Sequence, residues 1–516
     1  MGINKYYCNP VLPGFYPDPA VVRVGEDYYM VNSTFQYFPG ITISHSKDLI
    51  HWEIIGHGII ESDYLDLSNY PDGTGVWAPA ISYHNGEFYI WLCLVNLSKD
   101  RSVNERGNYV IKSKKPEGPY SRPIKLTDEG NDPSHFVDDD GTNYLLYAGG
   151  IPRGKGTKCI QLNDECNATV GEPFWMEWNF EMRAPEGPHL FKKDGYYYLV
   201  IASSDTIYHK GHHGIVARAR NIKGPYEASP YNPFLAQKDP EALIQHAGHG
   251  NIIQTQHGEW WMPYICRRDV EGYSILGRET ALDRVDWTED GWPVINHGNG
   301  PSAKNIIPNL EPVIYEKKAL DDFDQDRLGL QWLFVRNPVP HKYSLTERKG
   351  HLRIYSADYP VDDIRAENII LQREESHHYE ASTKLEFKPQ CNGDQAGMLC
   401  YYDTSSYIKF AYGYNNGYHL IVEEKKSNKR QISTKIKLEE SPIIFLKIQV
   451  NGLHRQFLYS LDGKVWETAG EVKEAGYLSD QGTSNWPFTG TMVGVFVSNN
   501  GCKSQSFADF DWFRKS

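Results

Sequence analysis

The chain is short of the residues that build metal or cross-linked frameworks. Its eight cysteines (Cys8, Cys93, Cys159, Cys166, Cys266, Cys391, Cys400, Cys502) are scattered over 516 residues with no C-x-x-C. Neither a zinc site nor a dense disulfide framework follows from that spacing. Positive charge is short too: 53 Lys plus Arg stand against 66 Asp plus Glu, a net charge of -13. That balance argues against nucleic acid or an anionic membrane as partner, since both need clustered cations. No run of 18 apolar residues occurs, and the opening "MGINKYYCNPVLPGFYPDP" has no apolar h-region. These absences make a soluble, cytoplasmic protein the expectation. Aromatic residues, by contrast, are plentiful, with 35 Tyr and 13 Trp. β-rich structure favours them, and so does the stacking of flat rings on apolar sugar faces; composition leaves both readings open. The length allows two or more domains, each with its own core.

Self-comparison of the sequence is more informative. Five segments share a polar turn, an aromatic pair or its equivalent, and an apolar tail: "GEDYYMV" (25–31), "NGEFYIW" (85–91), "DGTNYLL" (140–146), "DGYYYLV" (194–200) and "HGEWWMP" (257–263). Aligned on the last aromatic, they place Tyr29, Tyr89, Tyr144, Tyr198 and Trp261 in one column, at intervals of 60, 55, 54 and 63 residues. Each follows a short apolar strand, so each unit opens with a β-hairpin. Four units continue with a further strand and turn (43–52, 109–120, 214–226 and 274–287), with recurring "GPY" and terminal Trp. Repeated small antiparallel sheets close radially, which predicts a five-bladed β-propeller over residues 1–305.

Eleven or twelve residues upstream of the aligned aromatic stand Asp18, Ala78, Asp132, Glu186 and His249. The first strand of a propeller blade lines the central axis, so these positions converge on one pocket. Taken singly, Asp18 and Asp132 read as turn openers before proline. Three acids in one register read differently. Glycosidic cleavage needs one carboxylic acid to protonate the leaving oxygen and one carboxylate to activate water or attack carbon. A third carboxylate nearby raises the acid's pKa.

The stretch 9–57, "NPVLPGFYPDPAVVRVGEDYYMVNSTFQYFPGITISHSKDLIHWEIIGH", resembles the opening of family 43 glycoside hydrolases, in the β-xylosidase/α-L-arabinofuranosidase branch. The likeness continues through "GVWAPAISYHNGEFY" (75–89), "NDPSHFVDDDGTNYL" (131–145), "EGPHLFKKDGYYYL" (186–199), "AGHGNIIQTQHGEWW" (247–261) and "LGRETAL" (276–282). It reaches "FDQDRLGLQWLFVRNP" (323–338), similar to the start of that branch's C-terminal β-sandwich. The resemblance implies an inverting hydrolase with Asp18 as general base, Glu186 as general acid and Asp132 as the residue that tunes and orients the acid. It implies substrate contacts from Phe35, Trp77, Arg278 and His249, the last near water or a bound calcium ion; no cofactor is required. This chain departs from the pattern at Asn251, where an acid usually follows the axial histidine, and at Pro185. The histidine-rich stretch 203–219 also differs (His209, His212, His213), and it reads as polar loop residues meeting substrate or water.

Residues 306–318 mix Gly, Pro and polar types without periodicity and read as a linker. From 319 to 516, alternating segments bounded by Asn, Gly and Asp turns predict a concanavalin-like antiparallel β-sandwich. By the resemblance this domain closes one side of the pocket with an aromatic, for which Phe488 is the candidate. A closed pocket implies exo-action. The expected activity is release of a terminal pentose from short xylo-oligosaccharides, β-D-xylose ahead of α-L-arabinofuranose, with a homo-oligomer allowed. An arabinofuranosidase or dual enzyme, an endo-acting or retaining relative, and a non-catalytic sugar-binding propeller are the alternatives.

Overall fold

The computed structural model describes residues 5–149, 156–178, 180, 182, 184–203 and 211–516. Five antiparallel sheets, each used once in chain order, form the five blades of a propeller. The innermost strands are Ala20–Val24, Gly75–His84, Asn131–Val137, Glu186–Lys193 and Gln245–Gly250. The third blade is complete as well. Its outer strands, Thr157–Leu162 and Thr169–Trp175, escape the sequence pattern because the outermost is mostly exposed and carries Gly171 and Pro173 instead of an apolar alternation. Ring closure joins distant parts of the chain. Tyr6–Cys8 pairs antiparallel with Lys304–Ile306, and the Asn9 side chain bonds both the C=O and the N–H of Leu282.

The second half packs two antiparallel sheets around one large apolar cluster. Several of its strands show no clear alternation in sequence, two of them long. Lys429–Leu438 is an edge strand exposed along much of its length, the usual place for Lys and Arg. Phe507–Lys515 is interrupted by Asp509 and Asp511, whose charges are met by Arg353 and Lys384 on neighbouring strands. One disulfide, Cys391–Cys502, lies in this half, and the other six cysteines are free. Among the described residues no helix is long and apolar enough to cross a membrane.

The two halves interlock. Tyr37–Phe38, from the first blade, pairs with Leu333–Val335 and becomes the last strand of one sandwich sheet. A mixed core of Phe15, Phe35, Tyr37, Leu333, Val335, Met492 and Phe496 lies beneath that join. Beside it is a buried polar cluster. Asp72 accepts from Arg336 Nη2 at 2.8 Å, from the Thr404 N–H at 3.0 Å and from Asn485 Nδ2 at 3.1 Å. Burial, together with the charge of Asp72, pushes the nearby Asp403 carboxyl up to about 6. Removing one partner of a buried ion pair leaves the other charge uncompensated, at a cost of about 3–5 kcal/mol. Asp72→Ala is therefore expected to lower stability by about that much. Urea unfolding checks this, and an unchanged midpoint would refute it.

Candidate active site

In four of the five blades the first strand pair slips register beside the axis: between Trp77 and Ala80, Asn131 and Ser134, Glu186 and His189, and Gly248 and Gly250. Such bulges re-aim side chains. Downstream the pairing is regular, and it tests the alignment read from sequence. The column of aromatics pairs with Val22, Ser82, Phe136, Phe191 and Ile253. Counting back four residues from each partner reaches Asp18, Ala78, Asp132, Gly187 and His249. Glu186 thus sits one residue before its structural counterparts. Asp18 (φ 54°), Asp132 (φ 56°), Gly187 (φ 56°) and His249 (φ 45°) share a left-handed backbone, a conformation in which Asp and His are enriched among side-chain-bearing residues.

These positions touch in sequence around the axis. Asp132 Oδ2 accepts the Gly187 N–H at 2.9 Å, fixing the peptide just after Glu186. Gly187 lies flat against His249: a Cβ there would come within 2.6 Å of the imidazole, so only glycine fits. His249 Nδ1 is 3.6 Å from Asp18 Oδ1. Asp18 is buried, accepting from Arg278 Nη1 at 3.0 Å and from the Ser33 hydroxyl at 2.5 Å. The Glu186 side chain keeps 30% of its surface exposed, so it is accessible to a ligand.

An aromatic wall stands beside the acids. Phe35, at φ 52° and held by a two-way backbone pair with Val76, packs against Trp77 and Phe488 at ring separations of 6.2 and 6.0 Å. Trp77 and Phe488 meet edge to face at 5.3 Å. Phe488 comes from the sandwich half, and its C=O accepts from Arg278 Nη2 at 3.1 Å. The loop that carries it has almost no clearance, because a Cβ on Gly277 would lie 2.5 Å from the Thr489 carbonyl. Arg278 thus bonds a buried carboxylate of the propeller and a loop of the sandwich at once.

Residues 7–293 match the family model for glycosyl hydrolases family 43, and residues 320–516 match the β-xylosidase C-terminal concanavalin A-like domain. The chain belongs to glycosyl hydrolase family 43. This family 43 glycosidase is 35% identical to a xylan 1,3-β-xylosidase of a Vibrio species, with 98% of each chain covered. It is 33% identical to a non-reducing end α-L-arabinofuranosidase of Bacteroides ovatus, with 99% of this chain and 94% of the relative covered. The crystal structure of a family 43 protein from Bacillus licheniformis superposes with a TM-score of 0.93, at 49% identity and with 99% of each chain covered.

Few protein oxygens of this family 43 enzyme are left free near the axis to hold a calcium ion. Calcium takes six to eight oxygen ligands. Beside His249 the nearest carboxylate oxygen is already held by Arg278, and the Asn251 amide is spent in both directions on the Val21 backbone. Among the described residues, the clusters with metal-ligand spacing are His351/Glu386/Asp511 and Cys391/Asp394/Cys502, both in the sandwich, and the two cysteines of the second are joined in the disulfide. Of the histidine-rich stretch, His209 lies outside the described residues. His212 is not a solvated loop residue but fully buried, with Nε2 3.3 Å from Glu186 Oε1. Burial, reinforced by the Arg278 and Arg267 charges, depresses its pKa to about 4, and burial beside His249 brings His189 to about 3. Sequence reasoning placed His212 on a solvated loop and missed Ser33. Ser33 stands in "VNSTFQYF" (31–38), a mix of polar and aromatic residues that carries no catalytic signal.

Proposed function

We propose that this glycosidase is exo-acting and inverting, releasing a terminal pentose from short xylo-oligosaccharides, with β-D-xylose preferred. The observation that carries the reading is the convergence of Asp18, Asp132 and Glu186 beside an aromatic wall completed by Phe488 of the other half. Asp18 is the general base. It takes a proton from water as that water attacks the anomeric carbon. Glu186 is the general acid and delivers its proton to the departing glycosidic oxygen as the C–O bond breaks. Asp132 anchors the peptide at Gly187 and so orients the acid. Phe35, Trp77 and Phe488 stack on the sugar, while Arg278 and His249 bind its hydroxyls and hold Asp18. The chemistry is supplied by side chains and water and calls for no cofactor. The closing wall belongs to a sandwich spanning 319–516, and 306–318 is the linker from a propeller of residues 1–305.

The second reading is an α-L-arabinofuranosidase or dual enzyme, favoured by the likeness to the Bacteroides ovatus arabinofuranosidase. Rates on aryl β-D-xylopyranoside and aryl α-L-arabinofuranoside, measured side by side, give the preference directly. The expected result is faster xyloside hydrolysis, with α-xylose as the first product seen by proton NMR. First-formed β-xylose would show retention and overturn the water-activating role of Asp18. No turnover of either substrate would favour the non-catalytic propeller.

A further inference from the structure

His212 precedes the strand His213–Ala219 of the fourth blade and turns its ring inward. The ring lies against Gly248 of the fifth blade, where a Cβ would come within 2.4 Å of Cε1. Both ring nitrogens are engaged. Nδ1 is 3.2 Å from the His246 carbonyl oxygen, and Nε2 is 3.3 Å from Glu186 Oε1. A backbone carbonyl can only accept, so Nδ1 must carry the hydrogen of that bond. A neutral imidazole has one hydrogen, which leaves Nε2 bare and able only to accept. The partner across that contact must then be a donor, and a carboxyl group donates only when protonated.

The geometry points to His212 as a positioning residue that holds Glu186 in its proton-donating form through an accepting Nε2. This rests on the general-acid role given to Glu186 above and deepens it. The burial that keeps the imidazole neutral at neutral pH is the supporting condition. An imidazolium would instead donate from Nε2 and favour the carboxylate.

Several charged and titratable groups lie around the acid among the described residues. Asp132 bonds the N–H of Gly187, and His249 packs on that glycine with His189 beside it. Arg278, Arg267 and Asp18 act on His212, and Arg267 is itself paired with Asp480. His246, whose carbonyl anchors Nδ1, lies 3.9 Å from Asp269. A bare Nε2 lets the acid keep its proton without introducing another charge among these groups.

The test compares kcat/KM against pH for wild type, His212→Asn and His212→Gln on xylobiose. Asparagine keeps a donor near the Nδ1 position but nothing at Nε2. Glutamine can bring an amide oxygen close to Nε2, where it accepts. In the Asn variant the alkaline limb, which reports loss of the acid's proton, is expected to move to lower pH by about one unit, the size of one lost hydrogen bond. In the Gln variant it is expected to stay near the wild-type position. A limb that stays put or moves to higher pH in the Asn variant overturns the inference. Should either variant fail to fold by circular dichroism, long-range proton–nitrogen NMR of the wild-type ring decides instead. The Nδ1–H tautomer with bare Nε2 supports the inference, and an Nε2–H or an imidazolium overturns it. Leaving-group dependence of Glu186→Ala is measured in parallel. If that dependence is missing, the role of Glu186 itself fails; if it is present and the limb does not move, only the role of His212 fails.

Discussion

Replacing Asp18 by alanine removes turnover on xylobiose and on activated aryl xylosides alike, by about 10²–10⁴-fold in kcat/KM. The reason is where the base acts. Water must lose a proton as it attacks carbon, whatever group departs, so a better leaving group cannot compensate. The substitution also strips Arg278 of its 3.0 Å partner while leaving its bond to the Phe488 carbonyl. Substrate binding is therefore expected to suffer less than chemistry, with the loss concentrated in kcat. Steady-state rates on both substrates, with thermal melting to confirm folding, make the check. Full activity of Asp18→Ala on xylobiose would remove this residue from the reaction.

Glu186→Ala separates substrates that Asp18→Ala does not. On xylobiose the departing sugar hydroxyl needs a proton, and the variant is expected to lose about 10²–10⁴-fold. On a dinitrophenyl xyloside the leaving group is stable as an anion, and the loss is expected to be several-fold at most. The contrast tests the chemistry directly, since a residue that merely binds sugar or braces the axis would lower both rates together. Equal losses on the two substrates would remove Glu186 from the acid role.

Much of this site was legible because a propeller turns a sequence column into a spatial ring. The aromatics at 29, 89, 144, 198 and 261 pair with partners a fixed distance beyond the axis, so stepping back from them lands on Asp18, Asp132 and His249. The same step lands one residue off the strict counterpart at Glu186, because glycine takes the left-handed position of the fourth blade. Contacts set by backbone atoms far away in sequence stayed hidden. The tautomer of His212 depends on the carbonyl of His246, and the wall at Phe35 is completed by Phe488, which only the family likeness suggested. Exposed edge strands, such as Thr169–Trp175 and Lys429–Leu438, bury too little of either face to show an apolar period.

The strand Tyr37–Phe38 has a consequence for the order of events during synthesis. Its partner, Leu333–Val335, leaves the ribosome about 300 residues later, which at about 5–20 residues per second is a wait of about 15–60 s. Throughout that interval the nascent first blade carries an unpaired strand, and Phe35 lacks the sandwich side of its packing. The first blade therefore completes its pairing only after synthesis has passed well into the second half of the chain.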